Sequence, residues 1–279
     1  MKKTTVALVI LALVLSILGG CGRIPKNLIP KPTESLSEDG NDKFGEDTGN
    51  SGDYETPDDD SGSSGVDSLK PAGNPSEGFS NYSTYKTAAY DRITTASEGS
   101  DSLAMTVGFG YLGVTMIDLS LISIAMITDD LESSEIAMGM LGMEGVKITG
   151  SGNDYKITYT DSEGAQINQT CTYDPGKDQM SSTLYDADGE IAIFFEYVFL
   201  GDAYAAQYYF PSNGTYEVIR AYFDKDNAAA FGILTASEKP ASILGKSSFN
   251  EDFVKNDESY VIFLDGKLTA FEDGEITTN

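Results

Sequence analysis

Between residues 82 and 96 the apolar positions recur every three or four residues: Tyr82, Tyr85, Ala89, Ile93 and Ala96. That spacing puts them on one face of a helix, and Gly99 supplies a stop. Leu103 to Ile127 follows as a long apolar stretch with one charge, Asp118. A helix apolar nearly all round is predicted to be buried on most sides. The stretch is also long enough for the ~20 residues of a bilayer span. A span is disfavoured because Asp118 would lie near the bilayer centre. Acids also flank both ends (Glu98 and Asp101, then Asp129, Asp130 and Glu132), and no Lys or Arg sets an orientation. A third helix is predicted over about Leu131 to Gly142, with Thr128 to Asp130 as its acidic start. Ile136, Met138, Met140, Leu141 and Met143 make it rich in methionine.

After Gly145 the period changes to two. Tyr155, Ile157 and Tyr159 alternate with Lys156, Thr158 and Thr160. Strand-like runs then recur between turn sequences: Asp161 to Gly164, Asp174 to Gly176, Asp186 to Gly189, Pro211 to Gly214, and Asp224 to Asn227. A last hairpin is predicted with Tyr260 to Leu264 and Lys267 to Phe271 as strands and Asp265-Gly266 as the turn. This order predicts an α+β fold, with N-terminal helices packed across a curved, mostly antiparallel β-meander sheet. Within Ile191 to Leu200 both alternating faces are largely apolar, so this part of the sheet is expected to be covered on both sides. Glu196 is the acid placed deepest in that run. Residues 79–279 make one domain of ordinary size.

The first 78 residues read differently. Lys2 and Lys3 precede an apolar run from Thr4 to Leu18, too short to span a bilayer comfortably. Leu18-Gly19-Gly20-Cys21 closes it. Basic start, apolar middle and small residues mark a signal peptide over residues 1–20. The Leu-Gly-Gly-Cys sequence resembles the lipobox of bacterial membrane lipoproteins. The resemblance implies cleavage before Cys21 and a diacylglyceryl group on its thiol. It implies a protein held by lipid on the extracytoplasmic face of the cell membrane. Residues 21–78 are rich in Asp, Glu, Gly and Ser and lack apolar periodicity, so they are predicted to be a disordered acidic tether. Asp58, Asp59 and Asp60 within it offer an alternative reading as a calcium-collecting run, though a charge run is usually only solvated. The layout of the remaining domain loosely resembles the half-barrel lipid-carrier lipoproteins.

The chain has a formal net charge of −26 and no histidine. The charge disfavours nucleic acid as a partner. The missing histidine excludes Ser-His-Asp and Cys-His catalysis and His-ligated zinc. Cys171, with Cys21 assigned to lipid, has no intramolecular partner and reads as a small buried hydrophobe. Gly108-Phe-Gly110-Tyr-Leu-Gly113 matches a dinucleotide-binding spacing, but no βαβ unit surrounds it, so the glycines are read as close-approach positions. Gly245-Lys246-Ser247 lacks the earlier glycine of a phosphate loop. Asp186-Ala-Asp188-Gly189 lacks the later calcium ligands and is read as a turn. Tyr204, Tyr208, Tyr209, Tyr216 and Tyr222 are read mainly as core, with a binding surface as the alternative.

The expected function is therefore a non-enzymatic binding module, without cofactor or metal, for an apolar or amphipathic ligand or an envelope protein. The ligand would sit between the helices and the sheet. The alternatives are a structural or protein-interaction module without a ligand cavity, and a carboxylate-based hydrolase using Glu196.

Overall fold

The computed structural model describes residue 66 and residues 69–279, apart from 162, 163 and 273. Residues 1–65 lie outside the described residues, and with them the signal segment, Leu18 to Cys21, and Asp58 to Asp60. Helix α1 runs from Pro75 to Ser97. Its start is chemical: Asn74 Oδ1 accepts the Glu77 amide at 3.0 Å, and Pro75 occupies a position where no amide donor is needed. The helix thus begins ahead of the composition boundary at residue 78. Val66 and Ala72, further upstream, are also buried in the core.

Helix α2 spans Asp101–Ser120 and is followed by a short 3-10 turn, Ile124–Met126. The chain then returns to the start of α1, where Ser76 donates its amide to Ile127 O at 2.9 Å and its hydroxyl to Ala125 O at 2.6 Å. Leu103 to Ile127 is therefore not one helix, nor is it buried on most sides. Leu103, Val107, Val114 and Ile117 face inward, while Met105, Leu112 and Leu119 are 52%, 44% and 56% exposed. The reason is that α2 packs chiefly against α1 and reaches the sheet only at points such as Gly110 against Phe231, so one of its stripes is left without a partner. Helix α3, Leu131–Met140, is capped by Asp130, which accepts the Ser133 amide at 3.2 Å.

Eleven strands follow in one antiparallel sheet whose spatial order is the chain order. They are β1 Glu144–Ser151, β2 Asp154–Thr160, β3 Gln166–Asp174, β4 Gln179–Tyr185, β5 Ile191–Phe199 and β6 Ala203–Ser212. The remainder are β7 Thr215–Asp224, β8 Ala228–Ala236, β9 Ser259–Leu264, β10 Lys267–Glu272 and β11 Glu275–Thr278. The fold is mixed α+β, and its sheet is the meander that the turn chemistry predicts. Aspartates make several of those turns. Asp224 Oδ1 accepts the amides of Asp226, Asn227 and Ala228 at 2.9, 2.7 and 2.8 Å. Asp265 and Gly266 take φ values of 49° and 80°, the left-handed pair a two-residue hairpin needs.

Cross-strand register sets the two faces. Ser182, Phe195, Tyr208 and Ile219 are partners in one row across β4 to β7. That row belongs to the main core, which also contains the buried residues of α1. On the opposite face of β5, Glu196 and Val198 are covered by the segment between β8 and β9, where Ile243 and Val254 are buried. This explains why β5 is apolar on both faces. At the β1 edge, Glu135 of α3 accepts the Ile148 amide at 2.8 Å, so a carboxylate occupies a donor that a foreign strand would otherwise use.

Candidate functional site

The space expected to hold a ligand lies between α1 and the inner face of the sheet, and aromatic rings occupy it. Tyr82 of α1 stacks on Tyr197 with centroids 5.4 Å apart and planes 4° from parallel. Phe195 lies 5.6 Å from the same ring, and Tyr204 meets it edge-on at 5.9 Å. Phe195 and Tyr208 stack beside them at 4.7 Å. All five side chains are fully buried. Gly78 makes this closeness attainable: a Cβ there would come within 2.5 Å of the Tyr197 hydroxyl.

Polar groups run through this aromatic core in a chain. Lys86 of α1 pairs with Asp118 Oδ2 of α2, and both are buried. Tyr208 donates its hydroxyl to Asp118 Oδ1 at 2.9 Å. Tyr208 has spent its proton there, so in the 2.6 Å contact between the two hydroxyls Tyr82 is the donor. Burial pushes the Lys86 ammonium down to about 8. The Tyr82 and Tyr208 phenols are pushed well above their ordinary value, again by burial. A lysine next to a carboxylate and a phenol is a set used in acid–base chemistry. Here it is enclosed by the helices and joins α1, α2 and β6.

A second cluster forms at the β3–β4 turn. Asp178, at φ 44°, accepts hydroxyls from Tyr204 at 2.5 Å, Tyr197 at 3.0 Å and Tyr173 at 3.2 Å. Burial raises its carboxyl, and the three phenol hydrogen bonds pull the other way. Three strands are thus fastened to one turn carboxylate.

Neither Lys86 nor Asp178 was singled out from the sequence. Lys86 had left a signal, since it falls between Tyr82 and Ala89 on the predicted apolar stripe, and Asp118 was the one charge in its stretch. Glu196 is fully buried, as its surroundings in the sequence suggest. It accepts Gln207 Nε2 at 3.0 Å, Ser242 Oγ at 2.7 Å and the Ile243 amide at 2.9 Å. Those bonds hold the outer segment down. Cys171 is buried, and burial pushes its thiol up, away from reactivity.

The glycine motif divides. A Cβ on Gly110 would collide with the Phe231 ring of β8, whereas Gly108 and Gly113 meet nothing within 4 Å. Asp186 accepts the amides of Asp188 and Glu190, both at 2.9 Å, and so makes its own turn. Gly245 to Ser247 lies in the loop between β8 and β9, away from any strand-to-helix junction. Tyr204, Tyr208, Tyr209 and Tyr222 are buried and Tyr216 is half-buried. A cavity of about 500 Å³ opens at β1 to β3, bordered by Thr149, Ser151, Asp154, Lys156 and Thr172 among others. Among the described residues no three His, Cys, Asp or Glu side chains gather as a metal site would need. The chain matches no family model, no curated protein and no solved structure.

Proposed function

We propose that this chain is a lipid-anchored protein of the extracytoplasmic face of the cell membrane, held there by a diacylglyceryl group on Cys21. Its folded domain acts as a non-enzymatic interaction module. The anchor rests on the Lys2-Lys3 start, the Thr4 to Leu18 apolar run and the Leu18-Gly19-Gly20-Cys21 ending. Two acyl chains hold a protein on a bilayer where one does so only marginally.

The observation that supports an interaction module over a carrier is the ring packing around Tyr82. In a carrier built on this layout, a ligand would lie between α1 and the sheet. Tyr82, Phe195, Tyr197, Tyr204 and Tyr208 fill that position with side chains of the chain itself. Recognition is therefore assigned to outer surfaces and to an envelope protein or the membrane as partner. The charge of −26 argues against nucleic acid.

The test is a Cys21→Ala chain expressed beside the natural one. Release of the variant from the membrane fraction, with the natural chain retained, is the expected result. Equal retention of both would overturn the anchor. Mass spectrometry of the purified natural chain decides the second half of the reading. A stoichiometric lipid other than the Cys21 adduct would overturn the interaction module in favour of a carrier.

A further inference from the structure

We propose that the uncovered face of α2 rests on the surface of a zwitterionic lipid bilayer. This deepens the function proposed above and rests on it, because the anchor at Cys21 is what brings the domain to the membrane.

Met105, Leu112 and Leu119 are large, apolar and exposed, and they are spaced seven residues apart. On a helix that spacing draws a line along one face, about 21 Å from first to last at 1.5 Å per residue. Between Asp101 and Asp118 the helix carries no charged residue. Asp118, the charge that a bilayer would reject most strongly, is turned inward to Lys86 and Tyr208. Beyond Asp101 in its first turn, the face left outside is thus uncharged. Among the described residues α2 is also the one helix long and apolar enough to cross a membrane, yet much of it is not covered by the protein.

A span is not the consequence. The chain turns back after Ser120 and its end is tied to α1 through Ser76, which leaves α2 lying flat on the domain. A second copy of the chain is a poorer occupant than lipid. The three side chains offer on the order of 300 Å² of apolar surface, the scale of a functional patch. A stable dimer wants about 800 Å² from each partner. A charge of −26 on each copy adds repulsion, and Glu98, Asp101, Asp129, Asp130 and Glu132 lie close in sequence to the two ends of the helix. A surface already held nearby by an anchor needs far less area, because the second contact becomes intramolecular. Residues 22–65 supply enough chain, at ~3.3–3.6 Å per residue, for the α2 face to turn toward the bilayer. The same acids make phosphatidylcholine a better surface than an anionic lipid.

The experiment uses the full lipidated chain, with Leu112→Cys carrying an environment-sensitive fluorophore, in phosphatidylcholine vesicles that contain a nitroxide on the acyl chain. Cys171 is buried and does not compete for the label. Thr170→Cys, at an exposed position on β3, is the control. The expected result is a blue shift and loss of intensity for the label at 112, with neither at 170. Replacing most of the phosphatidylcholine by phosphatidylglycerol is expected to weaken both changes. A label at 112 that reports water overturns the proposal. A blue shift without nitroxide quenching, accompanied by a disulfide between two copies of the unlabelled Leu112→Cys chain, overturns it in favour of a dimer. The mass of the amino-terminal peptide from the same sample reads the anchor separately. Lipid on Cys21 with a solvated label at 112 removes this proposal alone. Quenching at 112 without lipid on Cys21 removes the anchor alone.

Discussion

The hydroxyls of Tyr82 and Tyr208 meet 2.6 Å apart, and through that contact the first helix is joined to β6 and to the ion pair behind it. The two tyrosines are not equivalent. Tyr208 both donates to Asp118 and accepts from Tyr82, whereas Tyr82 only donates. Tyr208→Phe leaves the buried Tyr82 hydroxyl without a partner and Asp118 with Lys86 alone, and is expected to cost about 1–3 kcal/mol. Tyr82→Phe removes one donor and is expected to cost about 0.5–1.5 kcal/mol. Urea unfolding of the two variants measures the difference, and equal losses would deny the direction assigned to the hydrogen bonds.

Lys86 and Asp118 form a buried pair, so breaking it from one side is costly. Lys86→Met is expected to destabilise by roughly 3–5 kcal/mol, since it leaves Asp118 charged and enclosed. Adding Asp118→Leu to the same chain is expected to recover most of that loss. A double-mutant cycle from denaturant midpoints checks this. Additive losses would show that the two side chains do not act as a pair.

The three glycines of the motif in α2 are expected to respond with opposite signs. Gly110→Ala drives a methyl into Phe231 and should lower stability. Gly108→Ala and Gly113→Ala enter open space in a helix and should raise it by up to ~1 kcal/mol each. Thermal unfolding of the three variants is sufficient to compare them.

Asp257 gives a pH signature. It is buried against Arg220 at 2.9 Å, and burial raises its carboxyl from an ordinary value near 3.8 to about 6, with Arg220 opposing the rise. Between those values the folded chain holds a proton that the unfolded chain has released. The contribution of this group is therefore fully present below about pH 4 and is lost as the pH rises through about 6. The full difference corresponds to roughly 3 kcal/mol. Asp257→Asn is expected to remove that fall, so the stability of the natural chain relative to the variant declines from pH 4 to pH 6. A constant difference across this range would contradict the assignment.

Local chemistry was the legible part of this fold. Asp224 and Asp186 make turns with amides within four residues of themselves, and Tyr82, Tyr85, Ala89 and Ile93 mark a helix face by spacing alone. What depends on distant partners was hidden. Asp178 is fixed by tyrosines from β3, β5 and β6, a set that no spacing in the chain reveals. Residues 103–127 are so evenly apolar that their pattern gives no indication of which side lacks a partner. The sequence placed Glu196 in the interior, but its role depends on Ser242 and Ile243, more than forty residues downstream. Lys86 and Asp118 were each visible as charges among apolar neighbours, and only the packing of α2 on α1 makes them a pair.

The amino terminus of the mature protein tests the central claim most directly. The full chain is to be extracted from the membrane with detergent, and the mass of its first peptide determined. The account predicts a chain that begins at Cys21, lacks residues 1–20 and carries a diacylglyceryl group on that thiol. A chain that begins elsewhere, or an unmodified Cys21 in protein that still sediments with the membrane, would contradict it.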